Sequence, residues 1–253
     1  MDNKKRSVLI TGANGGIGRA TVKYFSKMGW QVVGVDINPC EYDFPEGGLF
    51  IHTDIAEPEN VAILFRLTAE FTQKLNALVN NAAIQIAKPV LETSIEEWDD
   101  LMDINLRAVF LSIKQAYSLL KPVEGAIVNV SSVHAVQTSA DIASYAASKG
   151  ALLAFTRALA IEFAADNIRV NTILPGAVDT PMLDAGLSRG HAKGKTLSDK
   201  KADLAKRTVL GRVGTPEEIA KAIYFLADNE QSSFITGQPL IVDGGATIRL
   251  STE

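Results

Sequence analysis

One cysteine, Cys40, stands in 253 residues, so no intramolecular disulfide can form. The fold must be held by its core, as suits a reducing compartment. An excess of positive charge is also missing. Lys and Arg number 25 against 29 Asp and Glu, a net charge of −4. Nothing therefore marks nucleic acid or an anionic membrane surface as a partner. Long apolar runs are lacking too: the most apolar long segment, 151–165, is interrupted by Arg157 and Glu162, which excludes a membrane span. The first apolar run, Ser7 to Ile10, is too short for a signal peptide, so the expectation is a cytoplasmic protein. The three histidines, His52, His134 and His191, show no metal-ligand spacing and no carboxylates cluster, so no metal site is expected.

What is present is an alternation of apolar strands and helical patterns. Val8 to Ile10, Gln31 to Asp36, Leu49 to Thr53, Ala77 to Asn80, Ala126 to Val130, Arg169 to Leu174 and Leu240 to Asp243 read as strands. Helical patterns fall between them: from the glycine-rich turn to about Met28, from Glu57 to Lys74, from Ser94 to Leu120, around and after Tyr145, and from Pro216 to Ala227. This order predicts an α/β fold with a doubly wound parallel sheet and helices on both faces. A hydrophobic content of 47%, with no linker or repeat, suits one domain over 1–253. The interval between Asp36 and Asp54 is an exception. It holds Pro39, Pro45, Gly47 and Gly48, so a loop is expected there, leaving that end of any cofactor site open.

After the first strand comes Thr11-Gly-Ala-Asn-Gly-Gly-Ile-Gly18 and then a helix. Glycines let main chain approach a pyrophosphate, and the helix N-terminus offers free N–H groups and partial positive charge. The spacing Gly12-x-x-x-Gly16-x-Gly18 departs from the usual dinucleotide fingerprint. The second strand nevertheless ends in Asp36, 18 residues beyond Gly18, about where an acid should meet the ribose hydroxyls. Gly190-His-Ala-Lys-Gly-Lys-Thr196 has a superficial likeness to a P-loop. Its glycine is one residue too close to Gly194-Lys195 and no apolar strand precedes it, so it is excluded.

Tyr145 and Lys149 are four apart, on one helix face, and Ser132 follows the strand 13 residues before Tyr145. A free tyrosine titrates at about 10. An ammonium nearby lowers that value, and bringing it to neutrality takes about 4 kcal/mol of differential stabilisation. Serine, tyrosine and lysine in this order point to proton transfer at an alcohol or carbonyl oxygen.

With these pieces placed, the chain resembles the short-chain dehydrogenase/reductase family from Ser7 to Gly245. The Thr11–Gly18 loop is similar to the family's cofactor loop. Asn80-Asn-Ala-Ala83 is similar to its N-N-A-G element with alanine in the last place, and Pro175-Gly176 with Thr180 to its nicotinamide segment. The resemblance implies a Rossmann-like fold, NAD rather than NADP as cofactor, a small-molecule substrate and a homotetramer. It implies catalytic roles for Asn105, Ser132, Tyr145 and Lys149, with Asn105 holding a water that links Lys149 to solvent. To the cofactor it assigns Gly12, Asn14, Gly16, Ile17 and Gly18 of the loop, and Asp36, Asp54 and Ile55 at the adenosine end. Asn81 and Ala82, Tyr145 and Lys149, and Pro175, Gly176, Val178 and Thr180 complete that set. His134 and Asp141 stand near the tetrad as candidate substrate contacts. The implied reaction is hydride transfer between NAD(H) and a secondary alcohol or ketone, such as a sugar, polyol, alicyclic diol or hydroxy acid. The alternative is a catalytically silent NAD-binding regulator.

The segment 180–212, where the family carries a substrate lid, is basic. Arg189, Lys193, Lys195, Lys200, Lys201, Lys206, Arg207 and Arg212 outnumber Asp184, Asp199 and Asp203 by five. Either this charge is solvated, or part of it faces the cleft and attracts an anionic substrate. Gly186, Gly190 and Gly194 are expected to keep its first half flexible.

Overall fold

The computed structural model describes residues 5–187 and 192–248. Seven parallel strands, β1 (Ser7–Thr11), β2 (Gln31–Asp36), β3 (Leu49–His52), β4 (Ala77–Asn80), β5 (Ala126–Val130), β6 (Arg169–Pro175) and β7 (Pro239–Val242), form one sheet in the order β3-β2-β1-β4-β5-β6-β7. Alternate residues of each strand enter opposite cores, so both faces must be apolar. Leu9, Leu78 and Ile127 pack on one side with residues of α2 (Pro58–Thr72) and α4 (Ala108–Leu120). Val8, Ile10, Val79 and Val128 pack on the other, against α1 (Gly16–Lys27) and α8 (Pro216–Ala227). The chain runs outward from β1 in both directions, which opens a crevice beyond the carboxyl ends of β1 and β4.

No helix joins β2 to β3, as the prolines and glycines of that interval imply. Aromatic side chains cover the strand instead. Phe44 lies between Tyr42 and Phe50, with ring centroids 6.1 and 5.6 Å away. Gly34 makes room for it, since a Cβ there would stand 2.8 Å from the Phe44 ring.

The single helix expected from Ser94 to Leu120 is interrupted. Ser94 caps α3 (Ile95–Met102) in a capping box with Glu97. Asp103–Arg107 then forms a π-helical turn before α4. The turn carries Asn105, whose side chain is fastened to the main chain of Ile84 on a neighbouring loop. Such turns insert an extra residue and mark functional positions.

The helix that carries Tyr145 and Lys149, α5, spans Ala143–Glu162. Beyond β6 the segment over the crevice forms α6 (Pro181–Leu187) and α7 (Leu197–Ala205). Arg189, Gly190 and His191 lie outside the described residues. Among the described residues, no helix is long and apolar enough to cross a membrane.

Candidate active site

The glycine-rich turn is built by close approach. Gly12 has a φ of +66°, and a Cβ there would stand 2.8 Å from Ala82 Cα. A Cβ on Gly16 would meet Thr180 Cγ2 at 2.7 Å, and one on Gly18 would lie 1.9 Å from the Gly12 carbonyl oxygen. Thr11 Oγ1 accepts from the main-chain N–H groups of Asn81 and Ala82, each at 3.0 Å. Asn81 Nδ2 donates back to the carbonyls of Thr11 and Gly12 at 2.9 and 3.1 Å. The loop after β4 is thus bolted to the loop after β1. Ala83, where the family has glycine, is not among the residues with positive φ, so alanine fits there without strain. The N-cap of α1 is Gly15, which brings no side-chain acceptor. The first-turn N–H groups of Gly16, Ile17 and Gly18 have no intrahelical partner and stay available to an anion. This cradle fits a dinucleotide pyrophosphate.

At the end of β2, Asp36 Oδ2 accepts from the Asn14 N–H at 2.9 Å and Oδ1 from the Asn38 N–H at 3.0 Å. The carboxylate is held in place with lone pairs left for hydroxyl donors. Arg19, which lines the same cleft, is tied down. Its Nε donates to the Asn14 carbonyl at 2.8 Å, it pairs with Glu41 at 3.2 Å, and it lies over the Tyr42 ring at 5.0 Å. Asp54 Oδ1 accepts from the Ala56 N–H at 2.9 Å. Every residue assigned to the cofactor from the sequence lines one cleft of about 670 Å³.

Ser132, Tyr145 and Lys149 meet at the far end of that cleft, all three buried. Ser132 lies two residues beyond β5 and accepts from the His134 N–H at 3.2 Å. Lys149 Nζ donates to the Val130 carbonyl at 3.0 Å and lies 5.6 Å from the Tyr145 ring centroid. Ser131 Oγ donates to the Lys149 carbonyl at 2.9 Å, fixing α5 against β5.

The electrostatics of the chain alone correct one expectation. Tyr145 is not lowered: burial pushes its phenol up to about 12, while the hydrogen bond with Ser132 pulls the other way. Burial also brings Lys149 down to about 8. The loss of water around each group dominates, because charged forms are disfavoured in a dry site.

Asn105 is fully buried and does not line the cleft. Its Oδ1 accepts from Ile84 N–H at 2.9 Å, and its Nδ2 donates to the Ile84 carbonyl at 2.9 Å and to Ser148 Oγ at 3.1 Å. Ser148 Oγ in turn donates to the Tyr145 carbonyl at 2.8 Å. The side chain therefore fastens the loop after β4 to the turn of α5 that carries the phenol.

His134 lines the cleft, with its ring edge-on to Tyr145 at a centroid distance of 5.9 Å. Asp141 is not among the lining residues; it takes a φ of +60° before α5. The segment 180–212 supplies Thr180, Pro181, Met182, Leu183 and Leu204 to the cleft, all but Thr180 apolar. Four of its described cations are engaged elsewhere. Lys201 bridges Asp179 and Asp184 at 2.6 and 2.7 Å, Lys200 donates to the Leu187 carbonyl at 2.8 Å, and Arg207 and Arg212 pair with Asp203 and Glu218. Among the described residues no cation of this segment lines the cleft. Glu41, Gln85 and Leu204 are lining residues that the sequence did not single out. The first two sit in irregular loops, where no periodicity tells which way a side chain points.

A family model described as enoyl-(acyl carrier protein) reductase matches residues 12–247. The cyclopentanol dehydrogenase of a Comamonas species is 38% identical over 254 residues, covering 95% of this chain and 96% of that protein. The ligand-free structure of the aldohexose dehydrogenase of Thermoplasma acidophilum superposes with a TM-score of 0.91 at 30% identity, covering 99% of this chain and 97% of that one. The 3-ketoacyl-(acyl-carrier-protein) reductase of Brucella melitensis, complexed with NADH, matches with a TM-score of 0.84 at 30% identity, covering 96% of this chain and 98% of the other.

Proposed function

The chain belongs to the short-chain dehydrogenase/reductase family and is an oxidoreductase of CH–OH groups with a nicotinamide cofactor; on that premise we propose an NAD-dependent dehydrogenase of alicyclic secondary alcohols. The observation that carries the reading is the burial of Ser132, Tyr145 and Lys149 together at one end of a glycine-cradled cleft. The apolar lid residues over that end, and likeness to a cyclopentanol dehydrogenase, favour a ring-bearing substrate.

Gly12, Gly16 and the first turn of α1 hold the pyrophosphate, Asp36 the adenosine ribose, and the Pro175–Thr180 segment the nicotinamide. When bound, the nicotinamide supplies the hydride acceptor. Ser132 donates a hydrogen bond to the substrate oxygen, and the Tyr145 phenolate takes the hydroxyl proton. Lys149 lends positive charge to that phenolate and binds the nicotinamide ribose. Asn105 positions the Tyr145 turn through Ser148, and a water at its π-helical turn links Lys149 to solvent. The segment 180–212 acts as a lid, and the protein is a cytoplasmic homotetramer. Phe110 on α4 and Ile161 on α5 are 46% and 79% exposed, apolar surface that a neighbouring subunit would cover; light scattering reads the assembly.

The phenol's high value sets the pH behaviour. Only the phenolate accepts a proton, so alcohol oxidation should rise from neutral to mildly alkaline pH, by up to roughly tenfold per pH unit. Ketone reduction uses the neutral phenol, already the dominant form at neutral pH, and should stay flat there. Initial rates in both directions across pH check this; an oxidation rate that ignores pH contradicts it.

Cofactor choice follows from Asp36 and Glu41. A 2′-phosphate would face the Asp36 carboxylate, with Arg19 already engaged by Glu41. NAD should exceed NADP in kcat/KM by at least about 100-fold, a difference of about 2.7 kcal/mol. Measuring both cofactors decides the matter, and a preference for NADP refutes it.

A further inference from the structure

Around Tyr145 the cleft wall is apolar: Ile84, Ile104, Val133, Met182, Leu183 and Leu204. Two polar side chains with spare capacity interrupt it, Gln85 and His134. Thr180, the other hydroxyl of this region besides Ser132 and Tyr145, already donates to the Val178 carbonyl and accepts from Leu183 N–H. The His134 main chain is tied to Ser132 Oγ, and its imidazole stands edge-on to the Tyr145 ring at 5.9 Å. Its Nδ1 engages Thr138 Oγ1 at 2.9 Å, leaving Nε2 to face a ligand. The Gln85 amide lies against α6, where a Cβ on Gly186 would stand 3.5 Å from Oε1 and 3.7 Å from Nε2. Among the described residues the Gln85 amide has no hydrogen-bond partner.

An amide in an apolar wall is well solvated only while the cleft is wet. A substrate that expels this water without replacing its hydrogen bonds leaves a donor and an acceptor unpaired, a cost that works against binding. A substrate that carries an oxygen to the amide avoids that cost. No described carboxylate lines this end, and Lys149, its one cation, donates to Val130. Burial holds the His134 imidazole below its ordinary value, so it is neutral at neutral pH. The pair is therefore suited to an uncharged group.

We propose that Gln85 and His134 form a subsite for a second, uncharged oxygen of the substrate, a hydroxyl or keto group beside the reacting carbon, so that the enzyme selects diols or hydroxyketones over simple alcohols. The inference rests on the dehydrogenase reading above and names its substrate class. A site built to hydrogen-bond an oxygen discriminates strongly against an analogue that lacks it, whereas an apolar pocket hardly tells the two apart.

The test compares NAD reduction with cyclohexanol, a vicinal cyclohexanediol and a vicinal hydroxycyclohexanecarboxylate, for the wild type and for Gln85→Leu, His134→Phe and His134→Gln. The wild type should favour the diol over cyclohexanol by at least about tenfold in kcat/KM. Gln85→Leu and His134→Phe should each bring that ratio close to one, and His134→Gln, which keeps a polar end, should restore part of it. A ratio near one in the wild type overturns the subsite. So does a loss that falls equally on diol and alcohol, which would mark both residues as packing. A preference for the hydroxy acid overturns the uncharged character. Absence of turnover with all three, despite tight NAD binding, instead sinks the dehydrogenase reading, and the subsite with it.

Discussion

Tyr145→Phe is expected to lower kcat by about 10²–10⁴-fold while NAD still binds. The substitution removes one hydroxyl and leaves the ring, which packs with Leu101 and Ile142, so the fold and the cofactor cradle should survive. What goes is the group that exchanges the proton. Ser132 is no substitute as a base, because an unassisted serine hydroxyl does not ionise near neutrality. Loss in kcat and kcat/KM together, with NAD affinity near normal by calorimetric titration, is the signature of a contact made in the transition state. A Tyr145→Phe enzyme with near-normal kcat removes the phenol from the mechanism.

Gly18→Ala should abolish cofactor binding by a different route. Its Cβ would lie 1.9 Å from the Gly12 carbonyl oxygen, 2.8 Å from the Gly12 carbonyl carbon and 3.0 Å from Ala13 Cα. These are main-chain atoms that no side-chain rotation can move, so the turn must open. Opening it shifts the first-turn N–H groups of α1 away from one another, and NAD affinity should fall at least about 100-fold. Gly150→Ala is the control. Its Cβ would meet only the Ala135 carbonyl, at 4.0 Å, and alanine in a helix interior is favoured by about 0.5–1 kcal/mol. Thermal melts of both variants separate lost binding from lost fold. Normal NAD affinity in a folded Gly18→Ala protein would place the pyrophosphate elsewhere.

The parallel sheet was legible because both of its faces are buried, so Val8-Leu-Ile10 and Ala126-Ile-Val-Asn-Val130 read as near-continuous apolar runs. The helices were legible from end signals such as Pro216 at the first turn of α8. The glycines, Asp36 and the Ser-Tyr-Lys spacing were legible because each is a local requirement of main chain or helix geometry. What escaped depended on contacts between distant segments. The π-helical turn at Asp103–Arg107 shows no sequence break, and Asn105 there reaches a loop 21 residues earlier. The upward shift of Tyr145 comes from how much water the whole fold excludes. The basic segment gave a formal charge, but not the ion pairs that Asp179 and Glu218, outside it or at its edge, make with Lys201 and Arg212. Gln85 is one amide in a loop, and only the placement of α6 and α7 turns it into part of a cleft wall.

The central claim, that this chain moves a hydride between a secondary carbinol carbon and NAD under control of Tyr145, is tested most directly by isotope transfer. The wild type and Tyr145→Phe are each incubated in ordinary water with NAD and a vicinal cyclohexanediol deuterated at its carbinol carbons, and the reduced nicotinamide is examined by mass spectrometry. The account predicts a deuterium label in the NADH made by the wild type, and almost no NADH from Tyr145→Phe. Unlabelled NADH, or equal labelled NADH from both proteins, would contradict it.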